Sequence, residues 1–97
     1  MGAMHKSTHT PEYQLLRSEW TQLRISAGLS QLAMAGRLGV RHSWVAKVES
    51  GERRIDFVEL VWVLAACGLD PATALAELGA KLAALPTKRL AKRGRTA

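Results

Sequence analysis

The chain has a single cysteine, Cys67, among its 97 residues. An internal disulfide is therefore excluded, and so is a four-ligand zinc site built on thiolates. No apolar run approaches the ~18 residues of a membrane-spanning helix, and no leader-like segment opens the chain, so the expected setting is cytoplasmic, away from membranes. Period-two alternation and internal repeats are both missing, which leaves an all-α fold as the expectation. There is no nucleophile–base pair, no metal-ligand spacing and no phosphate-binding loop. His42 and Ser43 are neighbours in sequence only, which does not make a catalytic dyad. The reading is a non-enzyme without cofactor or metal, and with no ligand domain for a small molecule.

Acidic residues are few: eight against fourteen basic ones, for a net charge of +6. The excess is local. Lys88, Arg89, Lys92, Arg93 and Arg95 all follow Pro86, leaving nine basic and eight acidic side chains before them. The basic character belongs mainly to the tail, so the high pI alone does not argue for nucleic acid. An apolar fraction of 47% is ample for a folded domain. A domain of this size buries only about 60% of its unfolded surface, and oligomerisation would help it.

Three segments follow. Residues 1–10 lack periodicity and read as a disordered N-terminal segment, partly artificial, with Met4 a native start. His5 and His9 are four apart, a spacing that suits a helical metal site, but a disordered tail is the better reading. Residues 11–85 form the domain, and residues 86–97 a basic tail that either follows a phosphate backbone, binds a protein or aids solubility.

Within the domain, Thr10-Pro11-Glu12 is a helix start, and helix 1 runs to about Ala27 with Leu16, Trp20 and Leu23 on one stripe. Asp56 and Glu59 form a capping box for a helix from Phe57 to Cys67 that is apolar nearly all round. Leu60, Val63, Leu64 and Cys67 should face the core, leaving Val61, Trp62, Ala65 and Ala66 largely outside. Asp70-Pro71 starts a last helix reaching Leu85, with Leu75, Leu78, Leu82 and Leu85 as either a lid on the core or a dimer seam.

The chain is organised around residues 29–51, LSQLAMAGRLGVRHSWVAKVESG. Ser30 is an N-cap. Met34, Ala35 and Leu38 share one helical face, and Val45 and Val48 another. Gly39 falls where the first helix must end and turn, and Gly51 closes the second. Small Ala35 lets the two helices cross. That layout is a helix-turn-helix, whose second helix enters the major groove of DNA while the first crosses the backbone.

Leu29-Ser30-Gln31, Leu38-Gly39-Val40, Ser43, Val45, Lys47-Val48-Glu49 and Gly51-Glu52-Arg53-Arg54 resemble the Cro/lambda-repressor-like, or XRE-type, helix-turn-helix family, over about Leu16 to Leu78. The resemblance implies a compact five-helix domain with helices 2 and 3 as the motif. It implies base contacts from Arg41, His42, Ser43 and Lys47, with Arg41 suited to guanine, Lys47 to guanine or phosphate, and the base for His42 unassigned. It implies phosphate contacts from Gln31, with Arg37, Arg53 and Arg54 as further candidates. It also implies a partly buried Arg24–Glu49 salt bridge fixing helix 1 to the recognition helix. Arg41 departs from the Ser or Thr that relatives place before helix 3, so either that helix starts at Ser43 or its first N–H groups turn to water or phosphate. Trp44 packs against helix 2, forms part of the core edge, or touches a thymine methyl. Trp62 stands where relatives carry a polar residue, and with Leu78, Leu82 and Leu85 it is the candidate dimer contact.

The expected function is a homodimeric, sequence-specific transcriptional regulator of double-stranded DNA, a repressor reading a pseudo-palindrome. The alternatives are a restriction–modification controller protein, or the antitoxin of a toxin–antitoxin pair with residues 72–97 masking a toxin partner.

Overall fold

The computed structural model describes residues 6–86. A 3-10 turn at Lys6–His9 leads into α1 (Pro11–Ser26), α2 (Gln31–Leu38), α3 (His42–Ser50), α4 (Phe57–Ala66) and α5 (Pro71–Ala83). The basic tail from Lys88, and His5 of the His5/His9 pair, lie outside the described residues. Folded chain begins earlier than expected: Thr8, in the turn before α1, is buried.

Local chemistry sets the boundaries. Thr10 Oγ1 accepts from the Tyr13 amide at 3.1 Å, with Pro11 following at the first helical position. Ser30 Oγ accepts from Ala33 N at 3.0 Å. Asp56 and Glu59 close a full capping box, with bonds of 2.8 and 3.1 Å. Asp70 accepts from Thr73 N at 3.2 Å. Each cap satisfies an N–H that the first helical turn leaves without a partner.

Trp20, Met34, Val45, Val48, Val63 and Leu64 are fully buried, one or two from each of the first four helices. α2 packs on α3 and α4, and α1 crosses α3, α4 and α5. Cys67 lies in this core as a small hydrophobe, where burial pushes its thiol up. No single helix among the described residues is long and apolar enough to cross a membrane.

The α5 stripe divides. Ala74 and Leu78 are buried in the core, whereas Leu82 and Leu85 are half-buried. Leu78 therefore leaves little surface for a second copy. It falls four residues after Ala74, on the face that α5 turns toward α1 and α4, and there it is covered by its own chain.

Gly51 closes α3 in the left-handed region, at φ 88°. A Cβ there would also stand 2.8 Å from Arg17 Nη1, which donates to the Glu49 carbonyl at 2.9 Å. Gly51→Ala is expected to lower stability by about 1–3 kcal/mol, because it combines backbone strain with displacement of that guanidinium. Urea unfolding measures it, and an unchanged midpoint would show that Arg17 moves aside without cost.

Candidate nucleic-acid interface

The motif is α2, a tight turn and α3. Gly39 adopts φ 71°, and the Val40 amide returns to Ala35 O at 3.0 Å, which satisfies a carbonyl at the end of α2. Ala35 and Met34 on α2 then bury against Val45 and Val48 on α3. α3 starts at His42, with Arg41 in the N-cap position and no side-chain cap. The first amides of α3 are thus left to solvent or to an anion, at the positive end of the helix dipole.

Arg41, at the N-cap, and His42, Ser43 and Lys47, on α3, are all exposed. Trp44 is half-buried against the core edge, with the Arg53 guanidinium 5.1 Å from its ring centroid. One side of α3 is therefore polar and free to meet a ligand, while the other is apolar and fixed.

Arg24 holds that arrangement together. It is buried on α1, and its Nε and Nη2 donate to Glu49 Oε2 and Oε1 on α3 at 2.6 and 3.0 Å. Its Nη1 donates to the Leu29 carbonyl at 2.6 Å, reaching the loop before α2. One side chain thus ties three segments together: α1, the loop before α2, and α3.

Gln31 is engaged within the chain through both ends of its amide. Its Nε2 donates to Glu49 Oε1 at 2.8 Å, and its Oε1 lies 3.1 Å from His42 Nε2. Gln31 and His42 are the first residues of α2 and α3, so this contact sets two helix N-termini side by side. Arg37 is exposed, but its Nη1 donates to the Ala66 carbonyl at 2.8 Å and so caps the end of α4.

Arg53 makes a two-pronged pair with Glu59, both N–O distances being 3.0 Å. That hydrogen-bonded guanidinium holds the Glu59 carboxyl below its ordinary value, against the opposing effect of burial. Arg54 lies over the Tyr13 ring at 4.8 Å. The two arginines after α3 are therefore positioned by partners within the chain rather than splayed in solvent.

Two groups here were missed from sequence. Arg17 caps the end of α3 through Glu49 O, and the Tyr13 hydroxyl accepts from the Ile55 amide at 2.8 Å. The available signal was spacing: Tyr13, Arg17, Trp20 and Arg24 follow one another at intervals of three and four, a single face of α1.

An all-α domain with two short helices crossing at a glycine turn, a polar outer face on the second and paired N-termini beside it defines the helix-turn-helix class of DNA-binding domains. Residues 16–78 match the family described as a helix-turn-helix domain. The chain belongs to that family, in its XRE-type, lambda-repressor-like form. Among solved structures it is similar to an XRE-family like protein from Pseudomonas syringae pv. tomato str. DC3000, at 37% identity and a TM-score of 0.70, covering 78% of this chain and 93% of that one. Among curated proteins none matches.

Proposed function

We propose that the chain is a homodimeric, sequence-specific regulator of transcription, a repressor that places α3 in the major groove of a pseudo-palindromic operator. The observation that carries this reading is the pairing of helix N-termini beside an exposed Arg41, His42, Ser43 and Lys47. The paired positive ends suit the phosphates that flank the groove, while the four side chains suit base edges. Arg41 donates to guanine O6 and N7, Lys47 to guanine or phosphate, and Ser43 to either kind of partner. Arg53 and Arg54 contact the backbone after α3, and Arg37 and Gln31 contribute mainly by holding α4 and α3 in place.

Selection from a random pool of double-stranded fragments, at near-physiological salt, tests this. An enriched pseudo-palindrome with half-sites ~34 Å apart supports a dimeric reader. Binding without enrichment would reject sequence reading and favour an antitoxin that needs its partner to complete the DNA-binding assembly.

For the dimer seam, α4 is the better face. Phe57, Val58 and Trp62 are all more than half exposed, an unusual amount of apolar surface for one ten-residue helix. Trp62 is the anchor of this seam, with Leu82 and Leu85 at its margin. Trp62→Ala is expected to weaken the dimer by about 2 kcal/mol, roughly thirtyfold in dissociation constant. Sedimentation equilibrium reads this directly, and an equally tight dimer would exclude Trp62 from the seam.

A further inference from the structure

The hydrogen bonds around Glu49 run in one direction, and that direction fixes the chemistry of His42. The Glu49 carboxylate accepts from the Arg24 guanidinium on both oxygens. Gln31 places its Nε2 on Oε1 of the same carboxylate, at 2.8 Å. The reverse placement would set two acceptor oxygens face to face, so the Gln31 amide has only one tenable orientation. Its oxygen must then point to His42 Nε2, 3.1 Å away. That oxygen has no hydrogen to give, so His42 Nε2 must carry the proton.

In a neutral imidazole, one protonated nitrogen leaves the other as an acceptor. Nδ1 of His42 has no hydrogen-bond partner among the described residues, and His42 is exposed at the first position of α3. Every other basic group on this face, Arg41 and Lys47, only donates. We infer that His42 reads its base as a hydrogen-bond acceptor through Nδ1, and therefore selects an amine-bearing base, adenine or cytosine. This rests on the DNA-reading proposal above.

The reason lies in the groove itself. Adenine N6 and cytosine N4 present hydrogens in the major groove, whereas guanine O6 and N7 and thymine O4 present lone pairs. A lone-pair nitrogen faces the first pair favourably and the second with repulsion. Gln31 is then a positioning residue: it acts on specificity by fixing which ring nitrogen of His42 is bare.

Two experiments on the full chain separate this inference from the reading beneath it. In the first, wild type and His42→Arg are each put through the fragment selection. Wild type should prefer adenine or cytosine by about tenfold at one half-site position, and the donor-only variant should turn that same position to guanine. A wild-type preference for guanine or thymine there, or no position altered by the variant, overturns the inference. An empty selection removes the DNA reading and the base assignment with it.

In the second, ring nitrogen-15 spectra of free protein are recorded in alkaline buffer. Wild type should show a single form of His42 protonated on Nε2. Gln31→Met, which removes the acceptor, should show a mixture of the two tautomers. An Nδ1-protonated form or a mixture in wild type overturns the tautomer whatever the DNA result.

Discussion

Replacing Glu49 with alanine is expected to cost about 3–5 kcal/mol of unfolding free energy, because it leaves the Arg24 charge buried without its partner. Both side chains are almost out of water, at 10% and 9% exposure. The loss does not stop at one pair. Gln31 would lose the acceptor for its Nε2, and His42 the group that orients its own partner. In a domain of this size 1 kcal/mol moves the melting point by ~4–8 °C, so the drop should be at least ~12 °C. Arg24→Met combined with Glu49→Leu should recover much of that, since removing both charges leaves neither one stranded. Thermal melts followed by circular dichroism give the comparison. A single variant that loses less than about 1 kcal/mol would mean the pair behaves as a solvated one.

Trp20→Ala is expected to cost a similar amount, about 3–5 kcal/mol, for a different reason. The indole is fully buried in the core, and its truncation leaves a cavity there that the surrounding side chains fill only in part. Trp20→Phe separates volume from polarity. Trp20 Nε1 is buried and finds no hydrogen-bond partner among the described residues. Losing that donor removes an unsatisfied group, which offsets part of the lost volume. The phenylalanine variant should therefore stay within about 1.5 kcal/mol of wild type by urea unfolding. A loss as large as that of alanine would show that the indole nitrogen is partnered in solution.

What could be read from the sequence was local. Thr10, Ser30, Asp56 with Glu59, and Asp70 all cap the helices that follow them, because a cap acts over three residues and needs no tertiary context. Gly39 was legible for the same reason. The Arg24–Glu49 pair spans 25 positions and was reachable only through resemblance to a family. The Tyr13–Ile55 bond spans 42 positions and depends on how α1 crosses the loop after α3, which no periodicity encodes. The α5 leucines show the limit of a stripe. Spacing placed Leu78 and Leu82 on the same side, but it could not say how far round the helix α1 and α4 would reach. Leu78 is covered and Leu82 is only half so. On the face proposed to meet DNA, sequence named the side chains but not their engagements. Arg37 on Ala66, Arg53 on Glu59 and Gln31 on His42 follow from packing between helices, and each narrows what that residue is free to do.

The three tryptophans lie at three depths: Trp20 wholly enclosed, Trp44 at the rim beneath Arg53, and Trp62 at 59% exposure on α4. The chain thereby carries its own set of optical reporters. Indole emission moves to longer wavelength as water reaches the ring, and a nearby guanidinium or stacked base changes its yield. Trp20 should brighten or shift only when the whole domain opens. Trp44 sits beside the face proposed to meet DNA and should respond to a bound duplex at constant fold. Trp62, on the face proposed above as the dimer seam, should respond to protein concentration at constant fold. Variants that keep one indole at a time would let a single cuvette follow unfolding, docking and self-association as separate colours of one signal.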